Sequence, residues 1–456
     1  MTMRAGAKGE NMFRFREGFY SDVRIEERFT TSIRYRDGIL EENRSTSVKK
    51  AFIRVFDGEM WYYASTYKTD DLQAELDRLC ESATPNPDIA NHPTVKKFEV
   101  NREDAVKFSD CSVKNVSAEE KQRAVAQAEG ALASSEYVKM RVAIYADRYS
   151  SYEFYSSKGA RIRYDWQICG VASHVALARG EDNFSDFTQS VSDRFDGLDF
   201  SCERGKAFVA EAENFLLNAK SVEPGVYPVI LSPQVAGVFA HESFGHKSEA
   251  DFMIGDETMK KEWALGKKVG ADVLSIYDSG LEAGSGYAPF DDEGTRARKT
   301  YLIKNGVLTG RLHSASTASE LSEELTGNAR AINCEFEPIV RMTSTVIEAG
   351  TLSEEELFSK IKHGYFIKTY KHGSGMSTFT IAPSLAYEIV DGKIGDPVKI
   401  AVISGNVFET LNLIDGLSDR AEIISSAFGG CGKMEQFPLS VSDGGPYVSV
   451  SKMNVQ

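Results

Sequence analysis

The chain has 456 residues, more than the roughly 250–300 that one hydrophobic core usually supports, so two domains are expected. Hydrophobic residues make up 42% and charged residues 26%, a balance that excludes a disordered, collagenous or low-complexity chain. A formal net charge of −14 repels phosphate backbones, so nucleic acid is not an expected partner.

In chain order, Met1–Phe13 lacks the apolar stretch of a secretory signal. Phe29–Tyr35, Lys50–Phe56 and Met60–Thr66 read as strands, with Asp37-Gly38 and Asp57-Gly58 marking tight turns. Thr69–Ser82 sets Leu72, Leu76 and Leu79 at helical spacing, and Ser117-Ala118-Glu119-Glu120 is a capping box opening a helix to about Ser134. Strands are predicted at Glu136–Tyr145, Ser151–Ser156 and Arg161–Ala178, then helices at Phe187–Phe195 and Ser201–Lys220. This describes an α+β domain over residues 1–220 with largely antiparallel strands.

Ser221-Val222-Glu223-Pro224-Gly225 reads as a linker into a second domain, 226–456, richer in glycine and strands. Its most apolar run, Val226–Ala240, is broken by Pro228, Ser232, Pro233 and Gln234 and falls short of the roughly 20 residues that span a bilayer, so no membrane partner is expected. Hairpins are predicted for Lys299–Lys304 with Val307–Leu312 and for Leu385–Val390 with Val398–Ile403. Helices are predicted at Pro233–His246, Ser314–Glu324, Ser353–Lys362 and Val407–Leu413. The six cysteines form no CxxC pair and no disulfide framework, which fits a reduced, cytoplasmic compartment.

One segment carries chemistry. After the strand Tyr227–Leu231, Ser232 can cap a helix whose first position is Pro233, and that helix delivers His241-Glu242-Ser243-Phe244-Gly245-His246. With seven histidines in the chain, about 0.01 HExxxH matches are expected by chance. Imidazoles bind Zn²⁺, which lowers the pKa of bound water, and Glu242 can take a proton from that water. Five residues at ~100° each turn the two histidines about 140° apart on a regular α-helix, too far for one ion. A π-type turn would bring them together, and Gly245 would ease that distortion. The third ligand is open between Glu249 and Asp251 close by and Cys431 in Gly429-Gly430-Cys431-Gly432-Lys433, where Lys433 would favour a thiolate. For Glu249 a solvated helix face is the plainer expectation.

These segments, with Asp291-Asp292-Glu293-Gly294-Thr295 and Val340–Thr345 between them, resemble the TldD/PmbA family on its TldD side. The resemblance runs in order through the second half and reaches residues 51–66 more weakly. It implies a cytoplasmic metallopeptidase acting on unfolded peptides, dimeric, often with a PmbA-like paralogue. It also implies Zn²⁺ on His241, His246 and Cys431, with Glu242 as general base and acid. Met434 and Glu435 depart from the acidic residue and glycine that family often shows there.

Asp291, Asp292 and Glu293 could line the site or form a solvated turn, and Arg341 reads as a surface ion pair. His313, His363 and His372 lack ligand-like spacing. Without a P-loop, a GxGxxG or a GxSxG elbow, nucleotide binding and serine hydrolysis are unsupported. The reading is therefore a two-domain α+β zinc peptidase. Its rivals are a non-catalytic subunit that binds or gates peptides, and a closed structural zinc site.

Overall fold

The computed structural model describes residues 12–456. Its first half is organised on long strands, β1 (Tyr20–Arg36), β2 (Ile39–Phe56), β3 (Trp61–Thr66), β4 (Arg102–Ala105), β5 (Val138–Ser156), β6 (Arg161–Arg179) and β7 (Asp182–Ser192). They form one sheet in the order β3-β2-β1-β5-β6-β4, with β7 on the outer part of β6. Only β4 runs parallel to its neighbour. Asp37 and Gly38, at φ +48° and +83°, turn β1 into β2 in two residues, as an Asp-Gly pair permits.

Helices α1 (Leu72–Ser82), α3 (Ala118–Ala131) and α4 (Cys202–Asn218) follow the spacing and caps of the sequence, while the short helix α2 (Pro93–Lys97) is not expected from it. Leu72, Leu76 and Leu79 are buried on α1, and Ser117 Oγ accepts from Glu120 N–H at 3.1 Å. In the second half, the predicted pairing of Leu385–Val390 with Val398–Ile403 is replaced by Ala386–Val390 with Lys393–Lys399; in the first half, two readings change. The expected helix Phe187–Phe195 is instead the second half of β7, paired from Arg179↔Asp182 to Cys169↔Ser192. Gly180, at φ +63°, reverses the chain there, and the waiting edge of β6 outweighs a weak helical pattern. The strands expected at 136–145 and 151–156 are one strand, because β1 and β6 pair with β5 across the polar residues between.

In the second half, β8 (Lys220–Ser221) and β9 (Gly225–Leu231) join a ten-stranded sheet. There β9 lies between Val448–Val455, antiparallel, and His363–Ile367, parallel. A six-stranded sheet holds Ile276–Ser279, Ser344–Ile347, Ser442–Gly445 and, at its edge, Glu422–Ser425. Helix α5 (Pro233–Ala240) passes between the two sheets, so close that a Cβ on Gly237 would stand 2.6 Å from the Gly444 nitrogen.

The architecture is α+β with largely antiparallel sheets, and the two halves are tightly joined. Phe208, Phe215 and Leu216 of α4 share one core with Ile230, Phe366 and Tyr387. Asp291, Asp292 and Glu293 are at this seam rather than on a solvated turn. Arg24 meets Asp292 at 2.9 Å, and Arg54 meets Asp22 at 2.6 Å and Glu293 at 3.2 Å. Asp291 accepts from the N–H groups of Glu293 and Thr295, both at 2.9 Å.

Candidate metal centre

The site begins with β9. Val229, Ile230 and Leu231 are fully buried, which fixes the strand's end, and the chain then turns at Ser232. Ser232 Oγ accepts from Val235 N–H at 3.3 Å and donates to the Lys368 carbonyl at 2.7 Å, so one hydroxyl caps α5 and ties it to the neighbouring loop. Pro233 occupies the first turn, where its missing N–H is no loss.

At His241 the helix widens. Residues 241–245 form one π-helical turn, in which the His246 N–H donates to the His241 carbonyl five residues back. That turn stacks positions i and i+5, so both imidazoles face the same side, with ring centroids 5.1 Å apart. Gly245 does not supply unusual torsions, since its φ is −57°. It supplies space, because a Cβ there would stand 2.0 Å from Met342 Sδ.

Cys431 arrives on the hairpin Cys431–Lys433 with Gln436–Leu439, turned at Met434 with φ +52°. Its Sγ is 3.4 Å from His246 Nε2, and the donor atoms of His241, His246 and Cys431 all lie within 4.8 Å of one another. Two ligands at ~2.1 and ~2.3 Å from a tetrahedral zinc would be roughly 3.6 Å apart, so the set fits that ion. His241 Nδ1 is buried without a hydrogen-bond partner among the described residues. Burial pushes the Cys431 thiol up, but His241 and His246 outweigh it and bring it down to about 5. The thiolate in turn raises His241, and with Glu249 it lifts His246 to about 10 against the opposing effect of burial. A divalent cation would displace those protons.

Three surrounding residues differ from the sequence reading. Glu249 is not on a solvated face. It is fully buried, with Oε2 3.2 Å from His246 Nδ1, so it orients that ring and leaves Nε2 towards the thiolate. Lys433 does not reach the thiolate; its ammonium grips Glu249 at 3.0 Å and Asp251 at 2.7 Å. Arg341 is wholly buried and donates to the carbonyls of Cys431 at 2.7 Å and Gln436 at 3.2 Å, holding both strands of the hairpin. His313 is internal, bonded to Thr317 and Glu323 at 3.1 and 3.0 Å.

Glu242 stands outside the three-donor cluster but lines the same cavity, of about 620 Å³. Gly375 packs against the Glu242 backbone, where a Cβ would be 2.8 Å from its carbonyl oxygen. Tyr370 and Asp443 also line the cavity, and sequence reasoning missed both. Neither lies in a motif, so only the fold shows them. Burial, with a contribution from Glu242, raises Asp443 to about 7, although His241 pulls it the other way. Phe187 and Gln189 of β7 reach the cavity from the first half of the chain.

Comparison with known proteins agrees with this chemistry. Residues 224–456 match the model of the PmbA/TldA metallopeptidase C-terminal domain, and residues 21–84 match that of PmbA/TldA metallopeptidase domain 1. A metalloprotease of Methanothermobacter thermautotrophicus is 32% identical over 456 residues, covering 94% of each chain. A zinc metalloprotease TldD homolog of Saccharolobus solfataricus is 32% identical over 318 residues, covering 68% of this chain and 70% of that one. The crystal structure of TldE from Thermococcus kodakarensis shares the fold, with a TM-score of 0.73, 16% identity and 96% of both chains covered.

Proposed function

The chain belongs to the TldD/PmbA metallopeptidase family, and from that premise we propose that it is a zinc-dependent peptidase hydrolysing unfolded peptides or short polypeptides. One observation carries the reading: two imidazoles on a π turn and a distant thiolate bring their donor atoms within 4.8 Å, beside a cavity that Glu242 also lines. His241, His246 and Cys431 would hold the ion. When bound, zinc supplies a Lewis acid and lowers the pKa of water. Glu242 takes a proton from the attacking water and passes it to the leaving amine nitrogen. Glu249 keeps the His246 ring in the tautomer that presents Nε2.

The substrate would bind extended, by strand addition at a sheet edge. Edge strand Glu422–Ser425 borders the cavity and suits this, since Ile424 and Ser425 are in its lining. A closed structural site is disfavoured, because Glu249 is engaged by His246 and Lys433 rather than by the donor cluster. The two-domain division at 1–220 and 226–456, assembly as a homodimer or with a PmbA-like paralogue, and a cytoplasmic location belong to the same reading. Among the described residues no helix is long and apolar enough to cross a membrane.

Glu242→Gln tests the mechanism. The variant should retain zinc, because Glu242 is outside the donor set, and lose peptide cleavage by roughly 10²–10⁴-fold. Cleavage near the wild-type rate would remove Glu242 from the reaction. Loss of zinc with the activity would instead make it a ligand.

A further inference from the structure

A second polar cavity, of about 50 Å³, lies at the seam between the two halves and shares no lining residue with the cavity of the metal centre. The guanidinium groups of Arg24, Arg28, Arg148 and Arg330 line it. Asp292 answers Arg24 at 2.9 Å and Glu26 answers Arg28 at 2.6 Å. The remaining carboxylate of the wall, Asp291, is taken up by backbone N–H groups, from Glu293 and Thr295 at 2.9 Å and Ala329 at 3.0 Å. Four guanidinium groups against three carboxylates leave one positive charge.

That charge has a location. Among the described residues neither Arg148 nor Arg330 has a carboxylate within ion-pair distance. Arg330, only 8% exposed, donates to the carbonyls of Met342 at 2.6 Å and Ser440 at 2.9 Å. Arg148 lies over the Trp166 ring and reaches Ser440 Oγ at 3.4 Å. Two guanidinium groups without counter-charge thus converge on one serine. Arg24, 5% exposed, adds a buried Nε–H with no acceptor. Withdrawing a cation from water without compensation is strongly disfavoured, and a charge-assisted bond to an anion removes that penalty. The volume suits a species no larger than a few waters, which excludes nucleotides and peptides. Glu26 Oε2, buried and without a partner, lies on the same wall and disfavours a second negative charge on the ligand.

We propose that this cavity binds a monovalent inorganic anion of chloride size, held by Arg148 and Arg330 beside Ser440, with the Arg24 Nε–H as a further donor. Because Leu439 pairs with Cys431, the anion braces the hairpin that carries the thiolate. The site stands whether or not the chain is a peptidase.

Bromide is the probe. Crystals of the full chain soaked in sodium bromide should show one anomalous peak in contact with Arg148 and Arg330. The thermal midpoint of the wild-type protein should rise with chloride or bromide and not with gluconate at equal ionic strength. Arg148→Gln should lose the peak and weaken bromide binding at least tenfold. Water alone in the cavity of the soaked wild-type crystal, equal midpoints in halide and gluconate, or unchanged binding by Arg148→Gln would each overturn the proposal. The wild-type measurements decide it even if that variant does not fold.

Discussion

Glu249 shows what a single side chain does at the candidate metal centre without belonging to the donor cluster. Its Oε2 is shared between His246 Nδ1 and Lys433 Nζ, at 3.2 and 3.0 Å, and the His246 interaction fixes the ring. Replacing such a partner typically weakens metal binding by about 10–100-fold. Glu249→Gln should therefore need about that much more free zinc for half-saturation in a chelator competition, while cleavage per bound zinc changes far less. An equal loss of both would mean that Glu249 acts in the chemistry itself. The histidines, Glu242 and Cys431 were legible as residue types suited to zinc hydrolysis. The family resemblance, not their spacing, singled out Cys431 over Glu249. The burial of Glu249 and Arg341 was not legible, because it depends on packing between segments about 90 to 185 residues apart along the chain.

Among elements, the π turn is the one on which the site depends. Five-residue spacing in the sequence already required such a turn if the histidines share an ion, so the deviation from a regular helix was legible. The reason for Gly245 was not. Its hydrogen points at Met342, which is fully buried, so Gly245→Ala must push that side chain aside. Overpacking of this kind costs about 1–3 kcal/mol. The variant should unfold at lower urea and bind zinc more weakly, and Gly245→Ala with Met342→Ala should recover part of both. A different element reports pH. Burial opposes ionisation of Glu323, but His313 and Arg311 outweigh it and hold its carboxyl below the usual range. Its contribution is then complete above the unfolded value near 4.5 and lost as pH falls through the lower folded value. Glu323→Gln should be less stable than wild type at pH 7, and the gap should narrow as pH falls below 4.5. A gap independent of pH would mean that the carboxylate charge contributes nothing there. Helix caps, Asp-Gly turns and Leu spacing marked most elements correctly, whereas β7 was misread because its pairing partner, not its own pattern, decides its form.

At the level of the whole molecule, the halves are joined by buried charge as well as by a shared core. Arg54, 3% exposed, lies between Asp22 and Glu293, which come from different halves. Removing it leaves two buried carboxylates facing each other, a change that costs about 3–5 kcal/mol when a buried partner is lost. Arg54→Met should lower the unfolding midpoint and split the transition, whereas an unchanged single transition would show that the seam contributes little. The seam was beyond the reach of the sequence, since Asp291, Asp292 and Glu293 look alike along the chain and meet different partners in space. The position of Cys431 has a temporal consequence as well. It lies 185 residues after His246, and β9, from which α5 starts, has Val448–Val455 on one side. A ribosome that has translated the HExxxH segment has therefore made neither the thiolate nor the strand that steadies the helix. On the proposed mechanism, the nascent chain has no working centre until Cys431 and Val448–Val455 have been made, so cleavage cannot begin while the sequence between His246 and Cys431 is still emerging unfolded.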